Sequence, residues 1–365
     1  MNKILIILNG LALFFLVVEN SYILRNIGLI LIVLAILFNL FHKRELLEKS
    51  FFSNSFFVFI LYFYLFLLTL SCSGQALNTA LITLFKFLIC FFYMFTVNRK
   101  IFISSLNLAA SSHIVFFLIH LLFIILGLNN LYLDIFNSGA KTSFDVYFIE
   151  NRPTGLFDEP SLFGMTILGL LLIKYFYTKE YPKQNFITLF SFSTPVMVTM
   201  VSNYFLSQFR NIKLGSLLLT ASVLTIVFYF VFMLFLSREE SLVFSPMLLR
   251  LSHLLYLSES SNLLVGNGLC NAYSFFPLDL DSEERLSMFL SNFKDAGQII
   301  YIIDRVGLIL FSFFIIFIFL KFSITFVAPF LIFLLFSKTI FLSPLVMLMF
   351  LTLPLSNRDI KSNES

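Results

Sequence analysis

Charge is scarce in this chain: Asp, Glu, Lys and Arg together make up 12% of its 365 residues. Hydrophobic residues make up 59% and the mean hydropathy is +0.96, more apolar surface than the core of a water-soluble protein can hold. Cysteine is scarcer still, and three residues cannot build a rich disulfide framework. Cys72 and Cys270 fall on the same side of the membrane in the topology derived below and are expected as two unrelated free thiols. The chain has no Walker loop, no dinucleotide-binding glycine motif, no nucleophile elbow and no His-Glu-x-x-His, so nothing points to the chemistries those motifs carry. It also lacks an internal repeat of the kind transporters show. Of four histidines, His113 and His120 share one face of an expected helix, with no third ligand in view. Interhelical hydrogen bonds are expected of them rather than a metal site.

What the chain does have is a series of apolar runs long enough to cross a bilayer. They cover about 4–18, 22–41, 56–71, 76–97, 106–128, 160–177, 214–236, 298–320, 322–337 and 339–355, with 186–209 ambiguous. The first starts almost at Met1 with no small-residue cleavage site after it, and is expected as a retained span. Reading 186–209 as one crossing strands Arg210, Lys213, Lys321, Arg358 and Lys361 outside, against the positive-inside rule. Breaking it near Ser191-Phe192-Ser193-Thr194-Pro195 removes the conflict, because proline withdraws a backbone donor and disfavours helix just before it. Neighbouring hydroxyls can satisfy the groups so freed.

The result is an all-α, single-domain polytopic membrane protein over 1–365, with about 12 transmembrane helices, one of them broken near 191–195. The inside segments then hold 14 basic and 5 acidic residues, and the two long external loops, 129–159 and 237–297, hold 6 and 13. Long loops in a compact bundle are usually functional. The second carries an amphipathic helix over 245–257 that is too short to span.

The unusual residues collect in and beside these loops. In "ENRPTGLFDEPSLFG", 150–164, Arg152 stands in a rigid Asn-Arg-Pro-Thr-Gly turn, where a planar guanidinium suits an anion clamp and a loop staple is the plainer alternative. Pro160 is expected to start a helix, with Asp158 and Glu159 at its positive end. Arg250 and His253 lie on one edge of the amphipathic helix, followed by "GNGLCN" with Gly266 and Gly268, either a plain turn or a close backbone approach to a ligand. Asp295 and Gly297 mark the start of the next span, and Asp304 and Arg305 lie about two turns inside it. Intramembrane charge reads as functional by default, with structural pairing as the alternative. "DLD", 279–281, is read as a solvated acidic run.

In their order along the chain these motifs resemble the O-antigen polymerase and O-antigen ligase family of bacterial inner-membrane proteins. Arg152, Gly155, Phe157, Glu159 and Pro160 match that family's arginine-glycine-phenylalanine segment and the Glu-Pro that follows it. Thr194 stands where the family often has a second arginine beside a broken helix. Arg250 with Gly266 and Gly268 is similar to the arginine and Gly-x-Gly of the family's large external loop, and Asp295, Gly297 and Gly307 to the polymerases' Asp-x-Gly span start. The His-Asn that ligases tend to show there is absent.

The resemblance implies a glycosyltransferase that needs no metal and no cofactor. It would move a growing lipopolysaccharide or capsule glycan from undecaprenyl pyrophosphate onto a new lipid-linked oligosaccharide repeat unit, at the periplasmic face of the inner membrane. Arg152, Arg250, Gly155, Gly266, Gly268, Asp304 and Arg305 would bind pyrophosphate and glycan. Glu159, Asp295 and His253 are the candidate proton acceptors. Membrane lipid, a chain-length regulator and a flippase are the implied partners, and nucleic acid is not. An O-antigen ligase is the nearest alternative. A lipid-linked oligosaccharide flippase, a non-enzyme, is the second.

Overall fold

The computed structural model describes residues 2–18, 22–42, 49–70, 72, 74–137, 140, 142–146, 149–208, 262–269, 298–337 and 342–353. Within them the chain is a helical bundle. Its helices are α1 (Asn2–Leu16), α2 (Tyr22–His42), α3 (Lys49–Thr69), α4 (Gly74–Thr96), α5 (Arg99–Ile125), α6 (Asn129–Phe136), α7 (Pro160–Thr178), α8 (Thr194–Gln208), α9 (Gln298–Lys321), α10 (Ile324–Phe336) and α11 (Pro344–Thr352). A 3₁₀ helix, Lys183–Ser191, precedes α8. Five of these helices are long and apolar enough to cross a membrane, over Ile23–Phe41, Ala76–Thr96, Arg99–Ile125, Pro160–Thr178 and Gln298–Lys321. Asn2–Leu16, Ser55–Thr69 and Ile324–Phe336 are shorter apolar helices. This is a helical membrane protein. The expected span 214–236 and the amphipathic helix 245–257 lie outside the described residues.

Local chemistry sets several of the helix ends. Asn98 caps α5 by accepting from the Lys100 N–H at 2.9 Å. Pro160 opens α7 and Pro344 opens α11 at positions where the missing donor has no helical partner to lose. Ser343 caps α11 by accepting from the Val346 N–H. Arg99 reaches across to the C-terminal end of α7 and donates to the Tyr177 carbonyl at 2.6 Å, placing a cation at the negative end of that helix.

The layering follows from which helices are apolar on all sides. In α7, 16 of 19 residues are buried, and every residue of α11 is. These two pack together at the centre, with α5, α8, α10 and the 3₁₀ helix against α7 and α4 against α11. The outer helices are greasy on their free faces: Ile30, Leu34 and Phe38 on α2, and Phe313, Ile316 and Leu320 on α9, are exposed. Where water would penalise such faces, lipid accepts them.

The expected break in 186–209 is present. The 3₁₀ helix and α8 meet at Phe192 and Ser193 and fold back on one another. Tyr181 donates to the Met200 carbonyl at 3.1 Å, and the Tyr181 and Phe186 rings pack edge-on to Tyr204. The two open ends of this hairpin are therefore neighbours. Pro195 lies in the first turn of α8, where its missing N–H has no helical acceptor to lose, and the bend falls just ahead of that turn.

The loop 129–159 holds α6 and a two-stranded antiparallel ribbon, β1 (Ser143–Val146) and β2 (Ile149–Asn151). One expectation is corrected. Cys72 is disulfide-bonded, and the free cysteine among the described residues is Cys90, buried in α4. The physical reason lies in the fold: the segment 262–269, which leads to position 270, is tied to the end of α3 just before Cys72, as described below.

Candidate functional site

Arg152 leaves the β-ribbon as its N–H donates to the Thr142 carbonyl at 2.8 Å. The half-buried guanidinium extends to the tip of the hairpin, where Nη1 donates to the Phe192 carbonyl at 3.5 Å. Phe192 holds φ 48°, a left-handed conformation that is unusual for a residue with a side chain. Ser191 and Ser193 on either side of it are buried. From this tip α8 begins, and its first turn lies against the first turns of α7: a Cβ on Gly164 would come within 2.6 Å of the Val196 side chain. Arg152 thus reaches the turn, at the C-cap of the 3₁₀ helix, from which α8 starts beside α7; a helix amino end is a source of positive potential and of backbone N–H groups without helical acceptors.

Glu159 is the N-cap residue of α7, but its side chain makes no capping bond. It accepts instead from the Ser161 hydroxyl at 3.0 Å. The neighbouring carboxylate, Asp158, accepts from the Asn137 amide at 3.4 Å. Gly155 takes φ 60°, and its backbone lies close to Phe117 of α5. Phe157 then turns inward to pack on His113 and Phe163, with Phe117 and Phe163 stacked at 4.0 Å. The turn carrying Arg152 is thereby pressed onto one face of α5.

That face carries the two histidines, and both make the expected hydrogen bonds to other segments. His113 reaches the Phe14 carbonyl of α1 at 3.1 Å and stacks on the Phe14 ring. His120 is fully buried and bridges two parts of the first loop. Its Nδ1 accepts from the Thr154 N–H at 3.1 Å, which assigns the proton to Nε2, and Nε2 then donates to Asn129 Oδ1 at 3.0 Å. The Asn129 amide goes on to donate to Asn151 Oδ1 and Thr142 Oγ1, and Thr142 donates to Asn151 at 3.1 Å. Tyr132 stacks on the His120 ring at 4.0 Å, and burial pushes its phenol pKa up.

A second cluster forms around α9. Gly266 and Gly268, in the segment 262–269, come together there with Asp304 and Arg305 of α9, beside the end of α3. The helix is interrupted at Gly307, with φ 83° and ψ 159°. An unbroken helix would pair the Leu308 N–H with the Asp304 carbonyl and the Ile309 N–H with the Arg305 carbonyl. All four groups are instead taken by the segment 262–269. Leu308 and Ile309 donate to the Leu263 and Leu264 carbonyls, and Asn267 and Gly268 donate to the Asp304 and Arg305 carbonyls at 2.8 and 3.0 Å. The hook 262–269 is spliced into the hydrogen-bond ladder of α9, so none of these four backbone groups is left bare in a low-dielectric setting. Gly266 and Gly307 face one another so closely that a Cβ on Gly266 would meet the Gly307 nitrogen at 2.5 Å.

Side chains lock the splice. Asn267 donates to Asp304 Oδ1 at 2.9 Å, Arg305 donates to the Gly268 carbonyl at 3.1 Å, and Arg305 Nε lies 3.3 Å from Asp304 Oδ2. The Arg305 guanidinium sits over the Tyr301 ring at 5.0 Å. From α3, Thr69 accepts the Leu269 N–H at 3.0 Å and Tyr64 donates to the Val265 carbonyl. Asp304 and Arg305 therefore carry at least a structural load, holding the large loop to the bundle.

Arg250, His253 and Asp295 lie outside the described residues. Asn129 and Thr142 beside the Arg152 turn, and Asn267 with Tyr64 and Thr69 around the hook, have no motif to mark them in the sequence, where Asn151 and Thr154 stand out only as part of the turn. The one available signal was their polarity within an apolar chain. No family model, curated protein or solved structure matches this chain.

Proposed function

We propose that this protein is a polysaccharide polymerase of the O-antigen or capsule type. In this reading it crosses the bacterial inner membrane twelve times, with its active face in the periplasm. It moves a growing glycan from a polyprenyl pyrophosphate onto a new lipid-linked repeat unit. The observation that supports this most is the reach of Arg152 to the hairpin tip, from which α8 starts beside α7. A pyrophosphate is the group such a place suits, because a bidentate cation and a helix amino end both favour phosphate oxygens.

The chemistry asks little more of the protein. The acceptor sugar's hydroxyl oxygen bonds to the donor's anomeric carbon as the bond from that carbon to the pyrophosphate oxygen breaks. The bonding pair leaves with polyprenyl pyrophosphate, and Arg152 with the helix end stabilises the charge gained. The hydroxyl proton passes to a carboxylate, for which Glu159 is the described candidate at the amino end of α7. The energy resides in the donor, so no nucleotide site is needed.

The test is polymer formation by the purified chain in detergent, supplied with the lipid-linked repeat unit from its own source strain. Wild type should make a ladder of polymer. Losing one charge-assisted contact of about 2–3 kcal/mol predicts a roughly 30- to 150-fold lower rate for Arg152→Ala. Arg152→Lys should also be impaired, since it keeps the charge and loses the fork. A full ladder from Arg152→Ala would remove Arg152 from the mechanism, and no ladder from wild type would favour a flippase.

A further inference from the structure

We infer that His120 is the positioning residue for Arg152, acting through its neutral Nε2–H tautomer. The inference rests on the pyrophosphate reading of Arg152 for its functional half and on geometry alone for its structural half. Arg152 is bracketed in sequence by Asn151 and Thr154, with Pro153 between, and His120 reaches both brackets. Its Nδ1 accepts directly from the Thr154 N–H, and its Nε2 holds Asn129, whose amide holds Asn151. Thr142 closes the ring: its hydroxyl donates to Asn151 while its carbonyl accepts the Arg152 N–H. The imidazole is fully buried and backed by the Tyr132 ring, and Tyr132 itself donates to the Phe116 carbonyl one turn before His120 on α5. A rigid helix of the bundle thus sets the place of an arginine that belongs to an external turn, through two hydrogen bonds of opposite sense from one ring.

The opposite sense matters. An imidazole that donates at one nitrogen and accepts at the other can be imitated only one half at a time by an amide. Asparagine carries its polar atoms at the δ position and can still accept from Thr154. Glutamine carries them at ε and can still donate to Asn129. Phenylalanine keeps the volume and the stack on Tyr132 but neither bond, so it separates positioning from packing.

The experiment is residue-resolved amide hydrogen exchange on the full chain in detergent, run beside the polymer assay. In His120→Phe the Thr154 and Arg152 amides should exchange roughly 5- to 150-fold faster than in wild type, the range expected for losing a buried hydrogen-bond partner. His120→Asn should restore slow exchange at Thr154. His120→Gln should leave Thr154 fast. Polymer yield should follow the same order, with Phe lowest and Asn partly rescued, while α5 and α7 amides far from the turn keep wild-type protection. Wild-type exchange at Thr154 in His120→Phe would overturn the inference, as would fast exchange throughout α5, which would make His120 a residue of general packing. The two halves fail separately. If Arg152→Ala polymerises normally, the pyrophosphate reading falls while the exchange pattern stands. If Arg152 is essential and the exchange is unmoved, only the role of His120 falls.

Discussion

Gly307→Ala is the most informative single change in this protein, because the splice it interrupts has two hydrogen-bonded solutions. With the hook 262–269 in place, the Asp304 and Arg305 carbonyls and the Leu308 and Ile309 N–H groups bond to it. With the hook withdrawn, the same four groups can pair with one another and close α9 into a continuous helix. Alanine shifts the balance at both ends. Gly307 occupies φ 83° and ψ 159°, a region open almost solely to glycine, where a side chain costs about 1–3 kcal/mol. A Cβ there also runs into the Leu264 carbonyl and Val265 of the hook. In the closed helix, alanine is favoured over glycine by about 1 kcal/mol. Together these shift the equilibrium by roughly 2–4 kcal/mol toward the closed helix, or about 30- to 700-fold.

Amide exchange reads this out directly. In wild type the Asn267, Gly268, Leu308 and Ile309 amides should all be slow. In Gly307→Ala the Asn267 and Gly268 amides should speed up by that factor, while Leu308 and Ile309 remain slow inside the completed helix. Slow exchange at all four positions would refute the argument. So would fast exchange at all four, since the helix would then not have closed behind the departing hook.

Four further outcomes are expected. Under denaturing conditions without reductant, one thiol per chain should react with a maleimide and three should react after reduction, because the disulfide at Cys72 consumes two of the three cysteines. Three reactive thiols before reduction would exclude the bond. Glu159→Gln should retain binding of the lipid-linked donor while making little polymer at neutral pH, and a normal polymer yield would remove Glu159 as proton acceptor. Cysteines placed at Glu180 and Ser207, near the open ends of the hairpin, should both resist an impermeant external reagent, and labelling of only one would refute the two-legged reading. Gly164→Val should separate α7 from α8 and lower both thermal stability and polymer yield, since its side chain would occupy the space of Val196; a wild-type melting temperature would show that the contact is not needed.

Composition alone sufficed to place this chain in a membrane, and runs of apolar residues located the long helices among its described residues, because both follow from neighbours in sequence and from the thickness of a bilayer. The break before Pro195 and the start of α7 at Pro160 were legible for the same reason: proline restricts its own backbone and that of the residue before it. Even the histidine pair on α5 could be expected to bond across helices, since seven residues return a side chain to the same face. What the tertiary structure alone decided is which distant groups satisfy one another. Nothing local in "GNGL" announces that two of its N–H groups help complete the ladder of a helix nearly forty residues later, or that its first glycine lets the chain approach Gly307. Nor does "NRPTG" reveal that a buried imidazole holds both sides of its arginine. A hydrogen bond between segments far apart leaves no periodic trace in sequence, because each partner needs only to be polar. In a chain where lipid forbids bare backbone groups, that requirement draws the few polar residues and broken helices together.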